Sequence, residues 1–228
     1  MTTQKMVSVS GVVAGYDGPF TGSVDPNSDG SVTIDIRDVP AAIGGGLMPA
    51  FDRLFHYGNA IPAAASTSLV VHSSTLANGS LTISAQPDVA RQLQAVVTPG
   101  TTGITAGELI LEYVANDGTT TTDSLDLSEV GTTTTTLRST KGALHVNSAS
   151  VADLAGGASP TVIVGTNATL GVPMNPFAVA GTIFKENLDG SDVAVGSRGT
   201  LTGTGLYTPA TAPNGTHTFA MDYGCLSP

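Results

Sequence analysis

Residues Arg91–Leu127, RQLQAVVTPGTTGITAGELILEYVANDGTTTTDSLDL, read as strand, turn, strand, turn, strand. Apolar side chains alternate with polar ones at Leu93, Ala95 and Val97, and again at Leu109, Leu111 and Tyr113. That is the period of strands with one buried face. A Pro/Gly/Thr break separates the first two strands, and Asn116-Asp117-Gly118 supplies the positive-φ residues that a tight hairpin needs. Nothing in the stretch is set up for chemistry. A β protein whose motifs are all structural is expected to bind and assemble rather than catalyse.

The same texture continues on both sides. From Leu69 onward, short strand candidates recur about every ten residues, the spacing of a sandwich or barrel. Before the diagnostic stretch lie Leu69–His72 and Ser80–Ala85; within it are Gln92–Thr98, Glu108–Ala115 and Thr121–Leu127. Beyond it come Thr132–Arg138, Leu144–Ser148, Thr161–Gly165, Ala178–Lys185, Val193–Val195, Thr200–Thr202 and Thr216–Tyr223. The Thr132–Thr136 run is low in complexity, but β-branched threonine favours a polar strand over disorder.

Residues 1–67 differ in texture. Met6–Ala14 is strand-like, Tyr16–Gly30 is turn-rich, and Ser31–Arg37 alternates with Val32, Ile34 and Ile36 on one face. After Gly44-Gly45-Gly46, the stretch Met48–Tyr57 is predicted to form one short helix. Pro49 suits its first turn, and Phe51, Leu54 and Phe55 share a face at spacings of three and four. Two uses of that face stay open: plugging the protein's own β core, or docking a partner. Phe51, Leu54, Phe55 and Tyr57 are the partner-binding candidates. Ile61–Ser66 reads as a small-residue linker.

At 228 residues the chain can bury one large core or two small ones, and a β architecture of this length is often a single domain. Charged residues make up 11%, against roughly 25% in an average soluble protein. A surface this short of charge is either solvated by Thr and Ser hydroxyls or covered by neighbouring subunits. The net charge of −10 and the eight scattered basic residues argue against nucleic acid, which needs clustered Lys and Arg, and against an anionic membrane surface. The single cysteine, Cys225, excludes an internal disulfide framework. No signal peptide or membrane span is legible, so folding in a cytoplasm is expected, and the sequons at Asn78, Asn167 and Asn214 then carry no glycan information.

Candidate chemical sites are sparse. Asp25-Pro26-Asn27-Ser28-Asp29-Gly30 matches the opening of a calcium loop, but Ile36 stands where the bidentate Glu belongs, and the same residues suit an ordinary Asx-turn. No metal or cofactor is expected. His56, His72, His145 and His217 lack ligand spacing. Ser197 sits in a Gly-rich turn without a nucleophile elbow, and Gly203-Thr204-Gly205 lacks the third glycine of a dinucleotide fingerprint. Asp123 and Asp126 could flank a glycosidic bond, but the absence of Trp argues against sugar stacking. An enzyme is not expected.

The stretch Gln86–Leu125, with its Pro87-Asp88-x-x-Arg91 lead into a strand, Gly/Thr turn and Asn-Asp-Gly turn, resembles small virion structural proteins of tailed bacteriophages. VIVGTNATLGVP (Val162–Pro173) and GTGLYTPATAPNGTHTFAMDY (Gly203–Tyr223) resemble two further recurring stretches of that family. The resemblance covers roughly Gln86 to Tyr223 and implies a capsid decoration (cement) role, with no catalytic residues to carry over.

The expectation is therefore an all-β chain: a β-sandwich or partly open β-barrel over residues 68–228, preceded by an extended N-terminal region, 1–67, with one short helix. The expected function is to bind the outer surface of a phage head and bridge major capsid protein subunits as a homo-oligomer, first a trimer. Two alternatives stand beside it. One is a tail, fibre or head-to-tail connector component; the other, from a different class, is a secreted sugar- or calcium-binding sandwich using Asp25, Asn27 and Asp29.

Overall fold

The structure, a computed structural model, describes residues 22–26, 32–36, 53–173 and 180–226. The chain divides into two compact units, Met1–Ala50 and Phe51–Pro228. In the first, β1 (Gly22–Pro26) and β2 (Val32–Ile36) form an antiparallel hairpin in which Asp25 faces Thr33. A strand thus occupies part of the stretch read as turn-rich. The strand-like Met6–Ala14 lies outside the described residues.

The second unit is all-β, and its described residues hold only two short 3-10 turns, Leu127–Val130 and Val195–Ser197, beside the strands. It opens with β3 (Arg53–Ala60), β4 (Ser66–Thr75) and β5 (Gly79–Ser80). The diagnostic stretch supplies β6 (Arg91–Thr98), β7 (Ile104–Ala115) and β8 (Thr120–Asp126). Two long strands follow, β9 (Thr135–Gly156) and β10 (Thr161–Gly171). The chain closes with β11 (Ala180–Leu188), β12 (Ser191–Asp192), β13 (Thr200–Leu201), β14 (Leu206–Thr208) and β15 (Phe219–Leu226).

Nine strands form one antiparallel sheet in the order β13-β14-β10-β6-β9-β7-β8, with β4 on β10 and β5 on β9. Its pivot is β9, which changes neighbour at Ala143. Thr135–Ala143 pairs with β6, whereas Ala143–Gly156 pairs with β7. One strand therefore serves both layers of a sandwich-like fold. Leu93, Ala95, Val97, Val162 and Val164 from one layer share a core with Leu109, Leu111, Tyr113 and Leu125 from the other. The bend falls beside Gly142, where backbones crowd: a Cβ on Gly142 would lie 2.5 Å from the Gly171 Cα.

Every position of the predicted alternation at Leu93, Ala95, Val97, Leu109, Leu111 and Tyr113 is fully buried. The hairpin between β7 and β8 differs in detail. Only Gly118 has positive φ, and Gly118 N–H donates to the Ala115 carbonyl at 2.9 Å, a type I turn closed by a left-handed glycine. Asn116 turns inward instead. Its amide donates to the Val172 carbonyl at 2.6 Å and the Thr204 carbonyl at 3.2 Å, and its Oδ1 accepts from Gly142 N–H at 3.2 Å.

The second sheet has four strands in the order β12-β11-β15-β3. Here the sequence reading needs correction. The helix predicted over Met48–Tyr57 is replaced from Arg53 onward by β3, which pairs antiparallel with β15, Tyr57 facing Met221 and Phe55 facing Tyr223. Phe55 and Tyr57 satisfy a period of two as well as Phe51, Leu54 and Phe55 satisfy a helical one. Six residue pairs with β15, from Arg53↔Cys225 to Ala60↔Phe219, decide in favour of the strand. A smaller core joins the sheets: Leu170, Val172 and Tyr207 pack with Met221 and Tyr223, flanked by Phe55, Tyr57 and Ile183.

Candidate functional site

Of the four partner-binding candidates, Phe55 and Tyr57 pack against the smaller core. Phe51 lies outside the described residues, and Leu54 is placed by its pairing with Gly224 in the β3–β15 ladder. Phe55 stacks on Tyr223 with ring centroids 5.3 Å apart and 15° between planes. Tyr57 is half-buried, and its hydroxyl finds no hydrogen-bond partner among the described residues. Burial pushes its pKa up to about 12; the Arg91 charge eases that rise and Asp88 adds to it.

Beside Tyr57 lies a buried polar hub. Arg91 is fully buried at the start of β6. Its Nε donates to Asp88 Oδ1 at 2.9 Å, its Nη1 to the Asn167 carbonyl at 3.1 Å, and its Nη2 to the Ala63 carbonyl. Asp88 in turn accepts from Ala63 N–H at 2.6 Å. One Asp-x-x-Arg pair thereby fastens the β3–β4 connection to β6 and β10. Burial alone would raise the Asp88 pKa, but the Ala63 N–H and Arg91 outweigh it and hold the carboxyl below its ordinary value.

Glu186, on β11, is a second buried charge, accepting from Gly199 N–H at 2.6 Å and Ala210 N–H at 3.2 Å. The Tyr207 hydroxyl lies beside it without reaching hydrogen-bond geometry, and burial first, then Glu186, drives that phenol's pKa far up. In the large sheet, buried Asp123 accepts from the Tyr113 hydroxyl at 2.7 Å, Thr140 N–H at 2.7 Å and the Thr140 hydroxyl at 2.8 Å. It thus ties β8 to the first half of β9, and its partner Asp126 points to solvent. The two carboxylates therefore do not face a common substrate space.

The histidines are dispersed. His56 bonds Asp222 at 2.6 Å, His217 bonds Asp189 at 2.7 Å, and His72 and His145 are exposed. Among the described residues, no three His, Cys, Asp or Glu side chains stand close enough to hold a metal. Of the calcium-loop residues, Asp25 sits in β1; Asn27 and Asp29 lie outside the described residues. No helix of the described residues is long and apolar enough to cross a membrane.

A surface groove of about 450 Å³ opens where β8 and the first half of β9 diverge beyond the Asp123–Thr140 bridge. Core residues Leu125 and Leu137 floor it; Ser124, Asp126 and Glu129 line one side, Thr136 and Arg138 the other. Sequence reading missed the groove, because it arises from the change of partner along β9. It also missed the buried hub, whose one legible trace was the i, i+3 spacing of Asp88 and Arg91.

Fold and surface together define an antiparallel β protein of sandwich type with a hydroxyl-rich exterior. No protein-family model, curated protein sequence or solved structure matches the chain.

Proposed function

We propose that this protein is a capsid decoration protein, binding the outer surface of a tailed-phage head and bridging neighbouring major capsid protein subunits. The observation that carries the reading is the exposed surface. Thr120, Thr122 and Ser124 of β8, Thr132–Thr134 before β9, and Ser73, Thr75 and Ser80 are all exposed, with few charges among them. Hydroxyls lose water at small cost when they meet new partners, whereas charges cost several kcal/mol each to bury. Interface cores are accordingly poor in charge. The phage-virion resemblance over Gln86–Tyr223 supports the same reading.

In this role the protein acts without chemistry. Each copy binds the assembled shell and not its dissociated subunits, so the shell is stabilised by mass action, multiplied over many identical sites. A homotrimer at three-fold positions fits such a lattice. Because Phe55 and Tyr57 pack in the small core, contact through β3 falls to its opposite face, which carries exposed His56. The test is cosedimentation of the purified protein with expanded shells of the major capsid protein from the same genome. Saturable, stoichiometric binding is expected; absence of binding at micromolar protein refutes the role.

A further inference from the structure

The groove between β8 and β9 is bounded by two strand edges, and neither has a ladder partner on that side among the described residues. β8 pairs only with β7, and residues 135–138 of β9 pair only with β6. The Asp123 carboxylate bridges the edges at the closed end by taking Thr140 N–H. Beyond it they part over Leu125 and Leu137, leaving backbone donors and acceptors along an open wedge. Open edges of this kind recruit an extended chain through main-chain hydrogen bonds, with side chains setting the choice of partner.

The charges here say which chain. Glu108 on β7 lies directly opposite Asp126 on β8 in the register, and both are exposed. Like charges facing each other across a ladder destabilise it. Glu129, also exposed, lines the groove together with Asp126. Arg138, on the far side, stands beyond ion-pair distance from all three. The protein's own net charge of −10 makes an acidic occupant unfavourable.

We propose that this groove takes, as an added strand on β8, an extended segment of a neighbouring virion protein that carries a lysine or arginine between Asp126 and Glu129. The partner's identity as a virion protein rests on the decoration reading; the site itself does not. The added strand would supply the missing ladder to β8 and place a cation beside Asp126 and Glu129, the two carboxylates that line the groove.

The probe is a short, capped, alternating Thr/Val peptide with one central Lys, compared with the same peptide carrying Glu. Titration into isotope-labelled full-length protein is followed by amide resonances. The Lys peptide is expected to shift the amides of Ser124–Asp126 and residues 135–138, with the Glu peptide bound about fivefold more weakly, the upper end for an exposed ion pair. Glu129→Gln, a solvent-exposed change that leaves the fold intact, should remove most of that preference. Equal binding of the two peptides, shifts confined to other strands, or no shifts at millimolar Lys peptide would each overturn the proposal. Its fate is separable from that of the decoration reading: the peptide can bind while shells do not, and shells can bind an Asp126→Asn/Glu129→Gln variant undiminished.

Discussion

Arg91 and Asp88 form one ion pair, yet the two halves should not be equally costly to remove. Arg91 has none of its side chain exposed, whereas Asp88 keeps 34% of its own in contact with solvent. Asp88→Ala leaves a guanidinium buried with two carbonyls and no counter-charge. Breaking a buried pair from that side costs about 4 kcal/mol. Arg91→Met removes the charge itself, and water can reach the remaining carboxylate. What is lost is the hydrogen bonding of the Ala63 and Asn167 carbonyls, at about 1 kcal/mol each, or about 2 kcal/mol together. The difference of about 2 kcal/mol corresponds to roughly 4–8 °C in Tm for a domain of this size. Urea and thermal unfolding of both variants at neutral pH, followed by circular dichroism, measure it. If Arg91→Met destabilises as much as Asp88→Ala or more, the asymmetry of burial does not control this pair and the reasoning fails.

Three further outcomes follow from the structure. Gly165→Ala should cost about 3 kcal/mol in urea melts, because the new Cβ would sit 1.8 Å from the Ser66 carbonyl oxygen between β4 and β10, whereas Gly196→Ala, with open space around it, should change little. Asp88 and Asp117 both have folded pKa values below the ordinary 3.8: burial opposes the shift in each, and the Ala63 N–H with Arg91, and Lys141 with Thr119, outweigh it. Their stabilisation is complete above that value and lost as pH falls through the folded pKa, so urea midpoints should drop below about pH 4, and less steeply in Asp117→Asn. Tyr57, Tyr113 and Tyr207 are raised chiefly by burial, so their stabilising share is intact below pH 10 and lost as pH rises through the folded values. In an alkaline absorbance titration these three phenols should remain protonated at about pH 11 and ionise only as the protein unfolds.

The fold was legible where alternation ran unbroken. Leu93 to Val97 and Leu109 to Tyr113 announced their buried faces because neighbours in the ladder and the core both demand the same period of two. Asn116-Asp117-Gly118 marked the hairpin, although the inward hydrogen bonds of Asn116 depend on Val172 and Thr204, distant in sequence. Met48–Tyr57 misled because its aromatic spacing fits helix and strand alike, and the pairing that decides between them lies on Phe219–Leu226. Strand β9 read as two pieces, since Lys141-Gly142 interrupts the apolar pattern where the strand bends but does not end. The groove and the burial of Arg91 and Glu186 were illegible for a common reason. Each is made by segments brought together through sheet order, and a single chain's periodicity does not encode that order.

The most direct test of the central claim is calorimetry of expanded, empty phage shells with and without saturating protein. Decoration predicts that the shell's disruption transition moves upward by several degrees and that the shift saturates with occupancy, as binding to the assembled state alone requires. A melting profile unchanged at saturating protein would contradict the account.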